Sequence, residues 1–209
     1  KPETLDLPYA MSHGLKSEGA KITAQLLETT DPMVVVNEML IPALDSAGKL
    51  FEQGKIFLPQ LIQTAGVAQA AFEVIKTTLI QRDAAPVSRG EVVLATVKGD
   101  IHDIGKNIVR VLLENYGYTV LDLGKDVPCQ LVADTAKEHN VKLVGLSALM
   151  TTTLGAMEET IQLVKAACPD CKVVVGGAVL TADYAEKIGA DFYAKDAMET
   201  VAVAKQVVG

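Results

Sequence analysis

In the stretch Gly99-Asp100-Ile101-His102-Asp103-Ile104-Gly105, an aspartate stands two residues before a histidine. A neutral imidazole nitrogen is a good ligand for a transition metal. A carboxylate beside it can accept the other ring N–H, which fixes the tautomer and raises the basicity of the ligating nitrogen. The stretch follows the apolar run Glu91-Val92-Val93-Leu94-Ala95-Thr96-Val97 and precedes a helical pattern. A strand therefore delivers His102 to the mouth of an α/β sheet, and the chemistry expected there is metal ligation.

The elements that must position this loop change period partway along the chain. In the first part, Met11, Leu15, Ile22 and Leu26 lie on one face at helical spacing. Asp31-Pro32 reads as an N-cap followed by Pro at the first helical position. Val36, Leu40, Ala43, Ala47 and Leu50 continue the stripe, with a kink expected at Pro42. Gly54 closes that helix. Ile56-Phe57-Leu58-Pro59 opens another, whose stripe is Leu61, Ala65, Ala68, Phe72 and Ile75. Residues 1–83 are read as a four-helix-type bundle.

Arg82-Asp83-Ala84-Ala85-Pro86-Val87-Ser88-Arg89-Gly90 has linker composition. Beyond it, over 90–209, β-rich runs alternate with helical stretches. Strands are predicted at Val92–Val97, Thr119–Leu123, Leu143–Leu146, Val173–Val175 and Asp191–Tyr193. Helices are predicted at Lys106–Asn115, Cys129–His139, Gly155–Ala167, Ala182–Ile188 and Ala197–Val207. Alternation of this kind gives a five-stranded parallel sheet covered on both faces, with a flavodoxin- or Rossmann-like fold. Ligands of such sheets bind at the carboxyl ends of the strands, where the Asp100–Gly105 loop begins.

Composition narrows the function. The 209 residues carry a formal net charge of -7, with 49% hydrophobic and 4% aromatic residues and no Trp. An acidic chain poor in aromatics is a poor match for nucleic acid or an anionic membrane surface. No apolar run is long enough to span a bilayer. Three cysteines and the lack of a secretory leader suggest no disulfide framework and a cytoplasmic location. The first residue is Lys1 rather than Met, as in a fragment of a longer polypeptide.

Three short elements recur at the ends of strands. They are Asp100-x-His102-x-x-Gly105, Ser147-Ala148-Leu149 and Gly176-Gly177. Positions 106–146 separate the first from the second, and positions 150–175 the second from the third. In order and spacing they are similar to the DxHxxG–SxL–GG signature of cobalamin (vitamin B12)-binding domains. The resemblance implies that the nucleotide tail leaves cobalt and enters a slot in the α/β domain, and that His102 becomes the lower cobalt ligand. Asp100 would accept its second ring N–H. Gly105 would let a helix start close to the tail, Ser147 would hydrogen-bond the tail, and Gly176 and Gly177 would let backbone approach it. Asp103, Leu149 and Thr151 fall within the same cofactor-binding loops.

The helical part carries the resemblance further. Leu50-Phe51-Glu52-Gln53-Gly54-Lys55-Ile56-Phe57-Leu58-Pro59-Gln60-Leu61 resembles the cap of methionine synthase and related methyl-transfer corrinoid proteins. Phe51, Leu58 and Leu61 match its cap positions, where an apolar lid shelters the methyl group and must move aside for donor and acceptor. Asn37-Glu38-Met39-Leu40-Ile41-Pro42-Ala43-Leu44-Asp45 and Tyr193-Ala194-Lys195-Asp196-Ala197 resemble most the corrinoid module of methionine synthase. That family carries a serine where this chain has Thr153, completing a His–Asp–Ser relay. A hydroxyl remains here, on a β-branched side chain that can place it differently.

The resemblance thus implies a methyl carrier, with cobalamin passing between cob(I)alamin, cob(II)alamin and methylcobalamin. Expected partners are methyl-donor and methyl-acceptor methyltransferase domains or subunits, with a reductive activation partner. A methionine synthase-like module would serve methyltetrahydrofolate and homocysteine. The alternative is a free-standing corrinoid protein of a methylamine, methanol or methoxyl-compound system. An adenosylcobalamin mutase would need a radical-bearing barrel, and a light-sensing regulator would need a basic DNA-binding segment.

Simpler readings stand beside these. His13 and His139 read as surface residues. Asp103 can cap the following helix, and Thr151 can simply turn its loop. Phe51, Leu58 and Leu61 can be bundle core, and Gly176-Gly177 alone would be a tight turn. Cys168-Pro169-Asp170-Cys171 invites a redox or zinc reading, but no second pair accompanies it, and it precedes a strand at the opposite end of the sheet.

Overall fold

In a computed structural model of the chain, residues 5–82 and 88–209 are described. The linker expectation at 83–87 lies outside them. The chain divides into two compact units, Lys1–Val87 with Glu114–Gly117, and Ser88–Leu113 with Tyr118–Gly209.

The first unit is helical. α1 (Leu7–Ser12) and α2 (Lys16–Leu26) are separate helices. The expected continuous stripe from Met11 to Leu26 is therefore interrupted: Gly14 adopts φ +68° between the two helices, a conformation open to glycine at little cost. α2 buries Gly19 and Thr23, whereas Ile22 and Leu26 are only half-buried. α3 (Pro32–Val34) starts as expected, with the Asp31 side chain accepting the Met33 N–H at 2.8 Å and Pro32 in the first turn. It runs through a π-helical stretch, Val35–Leu40, into α4 (Ile41–Glu52). Pro42 has no N–H and its ring would meet the carbonyl four residues upstream, so the wider π turn occupies the place where a kink was expected. Gly54 ends the run with φ +68°. α5 (Leu58–Gln81) then starts with Pro59 in its first turn, and the Gln60 side chain accepts the Phe57 N–H at 2.7 Å.

Gly19 explains how closely α2 and α5 pack. A Cβ at this position would lie 2.4 Å from the Val67 side chain, a distance that requires movement. Val67 is stiff and fully buried.

The second unit is a parallel sheet in the order β2-β1-β3-β4-β5. Its strands are β1 (Glu91–Thr96), β2 (Thr119–Asp122), β3 (Leu143–Ser147), β4 (Lys172–Gly176) and β5 (Phe192–Tyr193). The connecting helices are α6 (Ile104–Asn115), α7 (Cys129–His139), α8 (Leu154–Ala167), α9 (Ala182–Lys187) and α10 (Ala197–Val207). The inner strands are apolar runs, as a sheet covered on both faces requires. Every strand and helix expected from the alternating pattern is present, with ends shifted by a residue or two. The strand order reverses direction between β1 and β3, and such a switch point opens a crevice at the carboxyl ends of the strands. No helix of the described residues is long and apolar enough to cross a membrane.

Gly19→Ala is expected to destabilise the protein by about 1–2 kcal/mol, because overpacking against Val67 outweighs the gain in helix propensity. Urea unfolding followed by circular dichroism checks this, and Val67→Ala in the same chain should recover part of the loss.

Candidate functional site

The site grows from the end of β1. Register pairs Thr96 of β1 with Ser147 of β3, so both strands end together at the switch point. The chain then turns, with the Asp100 N–H donating to the Val97 carbonyl at 3.0 Å and Gly99 at φ +85°. Asp126 braces this turn. Its carboxylate accepts the Gly99 N–H at 2.7 Å, and its N–H donates to the Asp100 carbonyl at 2.9 Å. Asp126 itself sits at φ +51°, a region that Asp tolerates better than most residues.

The turn buries the Asp100 carboxylate completely. Oδ1 accepts the His102 N–H at 3.0 Å and lies 2.8 Å from His102 Nδ1. Oδ2 accepts the Leu149 N–H at 2.7 Å and the Thr153 hydroxyl at 2.9 Å. Burial alone would push the Asp100 carboxyl up. The N–H groups of Leu149 and His102, then the His102 ring and the Thr153 hydroxyl, outweigh it and hold the group well below the usual carboxylate range.

Asp100 thereby sets the tautomer of His102. With Nδ1–H given to the carboxylate, Nε2 keeps its lone pair. The His102 side chain is 46% exposed, so the ring is held on one edge and open on the other. Among the described residues there is no group of three or more His, Cys, Asp or Glu able to hold a bare metal ion. A lone imidazole can then serve a metal only as one added ligand to an ion that arrives with its other positions filled.

Beside His102 lies a cavity of about 600 Å³ within the α/β unit, lined among others by Gly105, Ser147, Leu149, Gly176 and Gly177. The motif residues expected around a slot thus gather on one cavity. An added Cβ at Gly105 would meet open space. The glycine pair is also constrained by the protein's own backbone. At Gly177 (φ +138°) a Cβ would fall 1.8 Å from the Ala148 carbonyl oxygen, and at Gly176 3.2 Å from that of Ala194. The first contact requires glycine; the second leaves little room for a side chain.

The Thr153 hydroxyl lies 2.9 Å from Asp100 Oδ2 and 2.8 Å from the Met150 carbonyl oxygen. Asp103 opens α6, its carbonyl accepting the Asn107 N–H at 2.9 Å. Thr151 is exposed at the start of the 3-10 turn Thr151–Thr153. Ile101, Ile104, Leu149 and Met150 are exposed on the two loops flanking His102, an apolar surface that a flat apolar ligand would cover. In the helical unit Phe51 and Leu58 are half-buried and Leu61 is fully buried. His13 is exposed and stacks on Tyr9, while His139 lies 3.4 Å from Glu91. The three cysteines are free and buried. Burial, and then neighbouring Cys168, push the Cys171 thiol up to about 12.

Three contributors were not read from sequence: Thr96, Asp126 and the pair Lys106–Asp122. Lys106 is buried along the cavity, and its Nζ lies 2.6 Å from Asp122, which also accepts from Arg110 and Gly124. A lysine directly after Gly105, followed by Arg110 four residues on along the same helix, was the available signal.

The fold and site define a flavodoxin-like α/β domain, preceded by a helical unit, whose loop histidine can serve a metal held in a macrocycle. Family profiles described as B12 binding domain match residues 90–202 and residues 6–76. The chain is 42% identical over 180 residues to dimethylamine corrinoid protein 1 of Methanosarcina acetivorans, covering 85% of this chain and 84% of that one. It superposes on a novel cobalamin-binding protein from Desulfitobacterium hafniense with a TM-score of 0.80 at 32% identity, covering 97% of both chains. Against the methanol:cobalamin methyltransferase complex MtaBC from Methanosarcina barkeri, the TM-score is 0.84 at 27% identity, over 99% of this chain and 80% of that one. The chain belongs to the B12-binding corrinoid proteins of methyltransferase systems, and its cofactor is cobalamin. The residues present fit that cofactor: one supported imidazole, an apolar rim and an adjoining cavity.

Asp100 gives a pH signature. Its folded value lies below its unfolded value of about 3.9, so its stabilisation is complete above the unfolded value and is lost progressively as pH falls from there through the folded value. The stability advantage of wild type over Asp100→Asn should be flat above about pH 5 and shrink below about pH 4. Urea unfolding across this range checks it; an advantage that grows on acidification would contradict the assignment.

Proposed function

We propose that this chain is the methyl-carrying corrinoid protein of a methylamine- or methanol-type methyltransferase system, with His102 as the lower cobalt ligand. The observation that carries the reading is the His102–Asp100 contact of 2.8 Å beside the cavity. Two of the three relatives named above carry dimethylamine or methanol in their names, which supports this reading over the methionine synthase-like module with folate and homocysteine partners.

Cobalamin, when bound, supplies a cobalt that takes a methyl group from a donor and returns it to an acceptor thiol. The chain's own residues do the rest. His102 would hold the cobalt through Nε2. Asp100 holds Nδ1–H and makes the ring a stronger donor. Thr153 supports Asp100 through its hydroxyl and so helps to keep the ring in place. Ser147 bonds the tail, and Gly105, Gly176 and Gly177 border its slot, with Asp103, Leu149 and Thr151 in the surrounding loops. Phe51, Leu58 and Leu61 are the proposed cap residues of the helical unit, where Phe51 and Leu58 are half-buried and Leu61 is fully buried. Partners are a substrate methyltransferase, an acceptor methyltransferase and a protein that restores reduced cobalt.

The test mixes the reduced, cobalamin-loaded protein with methyltransferases for dimethylamine, methanol or methyltetrahydrofolate and follows the visible spectrum. Methylation by an amine or methanol enzyme is the expected result. Methylation with the folate enzyme alone would overturn it.

A further inference from the structure

The Ser147 hydroxyl faces a choice that one buried neighbour decides. Ser147 lines the cavity, and its Oγ lies 3.1 Å from Thr96 Oγ1. Thr96 is fully buried, so water does not share its single hydroxyl proton. That hydroxyl has two acceptors within reach, the Ser147 oxygen and the His102 carbonyl oxygen, the latter at 3.4 Å. If the proton goes to His102, Ser147 must donate to Thr96, and the cavity sees only serine lone pairs. If it goes to Ser147, the serine keeps its own proton for the cavity. Hydroxyl bonds are usually about 2.5–3.0 Å long, so the His102 carbonyl at 3.4 Å is too far for a good bond, and the buried Thr96 proton is best satisfied by Ser147.

We infer that Thr96 is a positioning residue whose buried hydroxyl aims the Ser147 proton into the cavity, selecting a ligand end that carries an acceptor such as an unprotonated aromatic ring nitrogen. The inference rests on the corrinoid reading, in which that end is the nucleotide base released from cobalt. Register supports it. Thr96 and Ser147 are direct partners across the β1–β3 pair, so their side chains leave the same face of the sheet side by side.

The test measures cobalamin and cobinamide affinity, the latter lacking the nucleotide tail, for wild type, Thr96→Val, Thr96→Ser, Ser147→Ala and the double variant Thr96→Val/Ser147→Ala. Thr96→Val should weaken cobalamin binding about tenfold, as loss of one aligned buried hydrogen bond does. Thr96→Ser should restore it, and cobinamide affinity should stay unchanged. In the Ser147→Ala background the valine should add less than about twofold. Equal losses for cobalamin and cobinamide, or the same cost with and without Ser147, would make Thr96 merely structural and overturn the inference. So would wild-type cobalamin affinity in Thr96→Val. Wild type that binds no cobalamin would instead overturn the corrinoid reading on which the inference stands.

Discussion

Asp100 is the constraint on which the rest of the site depends. A carboxylate this deeply buried is costly unless every oxygen is paired. Here both oxygens are, by two backbone N–H groups, one ring and one hydroxyl. The donors come from two loops far apart in sequence, one after β1 and one after β3. A single buried charge thus fastens the histidine loop to the serine loop and fixes the imidazole orientation. The remaining features follow. The turn before Asp100 needs Gly99 and its brace at Asp126. The loop after β3 must bring the Leu149 amide and the Thr153 hydroxyl to the same point.

The sheet supplies the place for this arrangement. In the order 2-1-3-4-5, adjacent β1 and β3 send their following chains to opposite sides, and a crevice opens between them. The two motif loops leave from these strands, and the glycine pair leaves from β4 beside them. The cavity is therefore a consequence of strand order as much as of side-chain choice. Its lining is mainly aliphatic, with a few placed hydroxyls, which suits a ligand that enters deeply and is oriented by few polar contacts.

Much of this was legible in the sequence because the signals were local. Alternating apolar runs and helical stripes give the α/β unit almost residue for residue. Asp100-x-His102 announces its own contact, since two residues of loop suffice to bring the side chains together. The helical unit was less legible. Met11 to Leu26 keeps helical spacing across a break at Gly14, because a Gly-containing turn can preserve phase. Pro42 announces a disturbance but not the π turn that answers it. Asp126 and Thr96 were missed because their roles depend on neighbours brought by β2 and β3, which no local pattern records. The approach of the Ala148 carbonyl to Gly177 is likewise a contact between distant segments that no local pattern records.

The account stands on His102 as the ligand that the Asp100 carboxylate prepares. The most direct measurement is the EPR spectrum of the cob(II)alamin-loaded protein, grown with and without ¹⁵N-histidine. A nitrogen splitting that changes on labelling, and that disappears in His102→Ala, is the predicted result. A splitting that ignores the label would mean that the nucleotide base stays on cobalt, and would contradict the account.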